Sequence, residues 1–317
     1  MEAQIIKPRK VLKFSYRAEF YGNSDNAGAY LFYAKDFSKV TVFDKAFKQL
    51  TSFATGFKKQ KSAIGTSAFC LHPNNALIAM VEPGTALHIT DFNGKPLKTI
   101  PGSYEAALWQ KSGVLWAIKR LGPENLLWQA ISDGGELLQE TSLTDSLYQS
   151  MLTLKAVPKS NDMLLELAAG QDGSTVLLLK AGQKRWHAED LFPELCLMCP
   201  EFSLDSKRIL TLDFYEGVLR EYTWPKLEPL GAYHFSDDLF CSGFYFYAGD
   251  HQAFVLVDPG YGYLLNLESM QLEKELIIKT PDSEIESVQA CGELVFVKDS
   301  EKENEVLVFD RADFNLS

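Results

Sequence analysis

Phe202-Ser203-Leu204-Asp205-Ser206-Lys207-Arg208-Ile209-Leu210-Thr211-Leu212 is followed by Asp213-Phe214-Tyr215-Glu216-Gly217 and then Val218-Leu219-Arg220-Glu221-Tyr222. A polar turn at Asp205-Ser206-Lys207 leads into the apolar run Ile209 to Leu212. A second turn, Tyr215-Glu216-Gly217, leads into a second run, Val218 to Tyr222. Both runs are too short for helices and mix aliphatic, β-branched and aromatic residues, so they read as two strands joined by a turn.

The same order recurs in both directions along the chain. Gly28 precedes Tyr30 to Ala34, and Val40 to Asp44 follows. Asn75 precedes Leu77 to Val81, and Leu87 to Asp91 follows. Gly113 precedes Val114 to Ile118, and Leu126 to Ile131 follows. Asp162 precedes Met163 to Leu167, and Val176 to Leu179 follows. Gln252 precedes Phe254 to Val257, and Tyr263 to Leu267 follows. Gly292 precedes Leu294 to Val297, and Val306 to Asp310 follows. The first turns fall near 28, 75, 113, 162, 207, 252 and 292, a mean step of about 44 residues, which is the length of a propeller blade. The nearly continuous apolar runs indicate strands buried on both faces. Hairpin chemistry such as Asn93-Gly94 and Asp133-Gly134 follows the second run, so each copy adds an outer strand. With one strand before the first turn, each copy has four.

The expected fold is therefore all-β, a single seven-bladed β-propeller of four-stranded blades over residues 1–317. Only Arg311 to Ser317 follow the last run. The strand-like segment from Gln4 to Phe14, within residues 1–20, is expected to join the last blade and close the ring, because closure removes open strand edges. Phe202 to Thr211 resembles the inner-strand turn of WD40-like repeats, and Tyr30 to Asp44 resembles a YVTN-type repeat. The resemblance spans the chain as a pattern and implies the fold. No Trp-Asp or Gly-His dipeptide occurs, so it implies no polar tetrad of the WD40 kind, and propellers host binding scaffolds and enzymes alike.

The 317 residues are 46% hydrophobic and 23% charged, with a formal net charge of −11. That balance allows a large core and argues against nucleic-acid or anionic-membrane partners, whose phosphates need clustered Lys and Arg. It suits a basic protein partner. No run reaches the length of a membrane-spanning helix and no apolar leader core follows Met1; with reduced thiols a cytoplasmic protein is expected, and a monomer is favoured with the oligomeric state left open. Lys58, Lys59 and Lys61 read as a solvated loop. The cysteines at 70, 196, 199, 241 and 291 have no disulfide-framework spacing. Cys196-Leu197-Met198-Cys199 lacks the second pair a zinc site needs, and buried structural thiols are expected. The five histidines show no metal-binding spacing, and no nucleophile elbow, phosphate loop or dinucleotide fingerprint occurs. No cofactor is called for.

Chemistry concentrates in the loops between the two runs of each copy. Every one carries a carboxylate: Asp36, Glu82, Glu124, Asp172, Glu216, Asp258 and, in the last copy, Glu301. Phe37, Tyr215 and Tyr261 accompany them, with Trp224 nearby. In WD40-like propellers these loops emerge on one face, so the acids and rigid aromatics would form a binding face for a basic partner. The same acids are favoured in turns for backbone reasons alone. The expected function is a non-catalytic protein-interaction module, in one version an inhibitor or immunity-type protein. The alternative is a metal-dependent hydrolase or lactonase with carboxylates converging in a central channel.

Overall fold

The computed structural model describes residues 3–21, 28–57, 67–144, 151–169, 173–181, 186–193, 195–236, 239–257, 260–278 and 284–315. Two strands, β1 (Ala3–Ile6) and β2 (Lys10–Lys13), precede a regular series. The first four sheets comprise β3 (Ala18–Tyr21), β4 (Ala29–Ala34), β5 (Lys39–Asp44) and β6 (Gln49–Ala54); β7 (Phe69–Leu71), β8 (Leu77–Glu82), β9 (Ala86–Asp91) and β10 (Pro96–Pro101); β11 (Tyr104–Trp109), β12 (Leu115–Gly122), β13 (Asn125–Ile131) and β14 (Leu137–Thr144); and β15 (Met151–Ala156), β16 (Met163–Ala168), β17 (Ser174–Ala181) and β18 (Trp186–Asp190). The fifth and sixth are β19 (Leu197–Phe202), β20 (Arg208–Asp213), β21 (Val218–Thr223) and β22 (Pro229–His234), then β23 (Cys241–Tyr247), β24 (Gln252–Val257), β25 (Tyr261–Asn266) and β26 (Gln271–Ile278). The seventh contains β27 (Ile285–Cys291), β28 (Leu294–Asp299) and β29 (Glu305–Asp310).

Within each sheet, consecutive strands are neighbours, so the repeat is a meander of four. The repeated turns join the first strand of each sheet to the second. The two apolar runs of each copy are the second and third strands. They are the most buried: all six residues of β4 and of β16 are buried. The fourth strands are largely exposed, as in β10 and β22. Burial on both faces explains the continuous apolar runs, and loss of burial toward the outer edge explains why the fourth strands are polar. Asp and Asn residues set the hairpins before the fourth strands. Asp44 Oδ1 accepts Ala46 and Lys48 N–H at 2.9 and 2.8 Å. Asp91 Oδ1 accepts Asn93 and Lys95 N–H at 2.8 and 2.9 Å. Asn266 Oδ1 accepts Glu268 and Ser269 N–H at 2.9 and 3.0 Å.

The N-terminal segment closes the last sheet, with a refinement. β2 pairs antiparallel with β29, Val11 opposite Leu307, and supplies its fourth strand. β1 instead runs parallel to β26 and becomes a fifth strand of the sixth sheet, with Ile5 opposite Ile277. Pro8 lies between them and has no N–H to give a ladder, so one strand cannot run through both. After Asp310 the chain forms a short 3-10 helix, Arg311–Phe314, whose Phe314 is buried against Phe246, Phe254 and Phe309.

Contacts divide the chain into two compact units: Glu19–Pro193, and Met1–Ala18 with Glu194–Ser317. The first holds the first four sheets. Its core includes Trp116, Trp128 and Trp186, with ring centroids 4.2 Å apart for Trp128 and Trp186. The second holds the last three sheets. There Glu221, 3% exposed, accepts hydrogen bonds from Arg208 Nη1 at 3.1 Å and from the Tyr247 hydroxyl at 3.0 Å. No sequence motif announces this ionic network. Among the described residues no helix is long and apolar enough to cross a membrane.

Candidate functional site

The loops between second and third strands are the expected site, and they resolve into two sets. In the first unit, Asp36 serves its own turn: its Oδ1 accepts Ser38 N–H at 3.1 Å and the Ser38 hydroxyl at 2.5 Å. Phe37 does not face a partner. Its backbone turns left-handed at φ 61° and drives the ring into the core, 1% exposed, edge-on to Tyr33 and Phe69. Glu82 Oε2 lies 3.3 Å from His88 Nε2. Glu124 is exposed. Asp172, like Asp258 of the sixth sheet and Lys58, Lys59 and Lys61, lies outside the described residues.

In the second unit the loops build a surface. Asp213 ends β20, and its Oδ1 accepts Glu216 N–H at 3.2 Å, so this acid shapes the loop. Gly217, at φ 61°, lets the chain reverse, and its carbonyl accepts Phe235 N–H at 2.9 Å. That bond ties the loop to the segment entering the sixth sheet. Phe214 and Tyr215 then stand 41% and 50% exposed. Phe214 meets Phe240 edge to face, with centroids 4.8 Å apart. Glu216 and Arg220 form an exposed ion pair at 2.8 Å, and Asp213 lies 3.7 Å from the same guanidinium. In the sixth sheet Tyr261 is 46% exposed. It follows Gly260, whose carbonyl accepts Ile285 N–H at 3.3 Å. Glu301 is exposed, and its N–H is held by Asp299 Oδ1 at 3.0 Å.

Three aromatics on this surface escape the loop reading: Phe214, Phe240 and Phe244. Phe214 had a signal, since it lies beside Tyr215 in a polar turn. Phe244 had none, because its exposure comes from a register shift. Cys241 pairs with Val257 and Tyr245 with Val255, so Ser242, Gly243 and Phe244 together face one residue, Leu256. The neighbouring first strand is irregular too. Met198 pairs with Leu212 and Glu201 with Leu210, leaving Cys199 and Pro200 opposite Thr211, with Cys199 at φ 53°. The Tyr245 hydroxyl bridges the two irregularities by donating to the carbonyls of Cys199 at 2.6 Å and Met198 at 3.0 Å. Bulges of this kind re-aim side chains.

The cysteine expectation holds in part. Cys70, Cys241 and Cys291 are buried, and burial pushes the Cys70 thiol up to about 12. Cys196 is exposed just before β19, and Cys199 is half-buried. Strand spacing therefore does not govern this pair: one thiol precedes the strand and the other sits in the bulge. Trp224 is at the opposite end of its sheet from Tyr215. It follows β21, its N–H donates to Lys207 O at 2.6 Å, and its ring packs edge-on to Phe202. Among the described residues no three His, Cys, Asp or Glu side chains gather as metal ligands.

No protein-family model matches the chain, and no curated protein matches its sequence. Among solved structures it is similar to the β-propeller domain of Cps50 (Swd1) from Myceliophteria thermophila. That likeness has a TM-score of 0.66 and 11% identity, and covers 95% of this chain and 99% of the other. Taken with the seven sheets, it shows the fold: a seven-bladed β-propeller whose last blade is completed by β2. At that identity the likeness carries the fold and not the partner.

Proposed function

We propose that this chain is a non-catalytic protein-interaction module, and that it engages its partner through the loop surface of the fifth and sixth sheets. One observation carries the reading: Phe214, Tyr215, Phe240 and Tyr261 are all large, exposed aromatics on loops or strand ends held by backbone hydrogen bonds. Rigid aromatics bury large area at little cost in side-chain entropy, and binding energy concentrates on such residues. Carboxylates at their rim, with Glu216 the described example, favour a basic partner by attraction and speed encounter. Inhibition of a basic enzyme or toxin is one form of this activity.

The test compares wild-type protein with Tyr215→Ala/Tyr261→Ala, each immobilised and exposed to lysate of the source cell. Both tyrosines are about half exposed, so the variant should unfold at nearly the wild-type temperature. Capture of a protein by the wild type and its loss with the variant are expected. Identical capture by both refutes this surface as the site.

A further inference from the structure

Resting on that reading, we infer that the surface binds an extended protein segment in which arginine alternates with an aliphatic or aromatic anchor. Strand register places the components together. Leu197 pairs with Asp213, so the exposed Cys196 stands beside Phe214. Cys241 and Tyr261 both pair with Val257, so Phe240 and Tyr261 flank the same end of the sixth sheet. The Phe214–Phe240 ring contact joins the two sheets across this end. The result is an apolar strip; Leu195, just before Cys196 in the chain, and Phe244, in the β23 bulge, are each 37% exposed as well.

Charge selects the occupant. Arg220, in β21 just beyond the loop, is engaged by both Glu216 and Asp213. Glu216 remains 63% exposed, Glu284 is exposed beside the Gly260 turn, and Glu301 is exposed in the last loop, where Glu303 is already paired with Arg17. An apolar strip alone would accept any greasy segment. Acids around aromatic faces favour arginine, because a guanidinium stacks on an aromatic ring and donates in the same plane to a carboxylate. The strip is also preorganised: the Phe235–Gly217 bond, the Asp213 turn and the Tyr245 bridge hold it before any partner arrives. Little ordering then opposes binding.

The experiment uses a displayed pool of random peptides of about 12 residues, the length of an extended recognition segment. The pool is selected on the full-length protein, and the recovered peptides are then measured on Phe214→Ser/Phe240→Ser. Both rings are at least one-third exposed, and Glu216→Lys, which leaves the rings intact, guards against a folding defect. Selected peptides should be enriched in arginine next to Leu, Phe or Trp. They should lose about tenfold or more in affinity on either variant and weaken as salt rises. A selected peptide should also slow alkylation of Cys196, the exposed thiol beside Phe214. A pool that enriches nothing, enriches acidic or uncharged sequences, or yields peptides that bind both variants as well as wild type overturns the inference. Loss of lysate capture with Tyr215→Ala/Tyr261→Ala alongside such a negative pool would leave the interaction surface standing and refute only the arginine-bearing occupant. Unchanged lysate capture would refute the surface itself.

Discussion

Arg208→Leu isolates the buried ionic network of the fifth and sixth sheets. Glu221 is 3% exposed, and burial, its largest influence, raises its carboxyl above the usual range, with Arg208 the main opposing pull. Arg208 bonds Glu221, donates to the Asp250 carbonyl, and lies 5.4 Å over the Tyr247 ring. Replacing it with leucine keeps much of the apolar stem and removes the countercharge. A buried carboxylate stripped of its partner costs about 3–5 kcal/mol. Glu221 has a partial escape, since it can take up a proton, and each unit of further upward shift corresponds to about 1.4 kcal/mol. A raised folded value means the folded state binds the proton more readily than the unfolded state, so this group's contribution to stability grows as pH falls. The variant should therefore lose about 3–5 kcal/mol near neutral pH and about half that near pH 5, read by urea unfolding at both pH values. Adding Glu221→Gln should restore most of the loss at neutral pH, because a neutral amide still accepts the Tyr247 hydroxyl. A loss below about 1 kcal/mol, or one equal at both pH values, would refute the account of Glu221 as a buried charge held by Arg208.

Three further outcomes follow from single sites. Glu286 is pulled below the usual carboxylate range because Arg17 and Lys298 outweigh the burial that raises it. Its stabilisation is present above the unfolded value and fades as pH falls through the folded one, so Glu286→Gln should destabilise at neutral pH by on the order of 2–3 kcal/mol, with a gap to wild type that narrows in acid-titrated melts. His72 is 2% exposed, and its Nδ1 accepts Asn74 and Asn75 N–H at 3.0 and 2.9 Å, which requires that nitrogen unprotonated. Burial lowers its value, so stability falls as pH drops below the ordinary imidazole range, and His72→Asn should flatten thermal-melt curves between about pH 7 and 5. Gly260→Ala places a Cβ 2.7 Å from Ile285 N at φ 141°, which should cost about 1–3 kcal/mol in chemical unfolding and weaken partner capture by displacing Tyr261.

The second and third strands of each sheet were legible in the sequence because burial on both faces leaves no polar alternation to blur their limits: β4 and β29 begin and end within a residue of their apolar runs. The N-terminal closure was half legible. Its strand character showed, but the split into β1 and β2 depends on Pro8 and on an edge of β26 that no local pattern reveals. The loop acids were legible as residues and opaque as roles. Asp36 and Glu124 occupy equivalent loops, yet Asp36 bonds the backbone two residues ahead while Glu124 faces solvent. Side-chain length decides this, since aspartate reaches its own turn and glutamate overshoots it.

Phe37 and Tyr215 make the same point for aromatics. Both sit between a second and a third strand, next to an acid. One left-handed residue turns Phe37 inward onto Phe69, whereas in the fifth sheet Gly217 takes the left-handed position and leaves Tyr215 outside. The backbone residue that absorbs the positive φ thus decides whether an aromatic joins the core or the surface. The regular strands carry that choice nowhere in their pattern. The strip of the fifth and sixth sheets is built where the repeat is broken: at Gly217, and at the irregular first strands around Cys199 and Phe244. Departures from a repeat cost stability unless something offsets them. Here the Tyr245 hydroxyl spans both irregularities, so restoring a regular register by deleting both Ser242 and Gly243 should raise the unfolding midpoint or leave it unchanged while burying Phe244 and abolishing capture. A deletion that keeps full capture would show that the bulge has no part in binding.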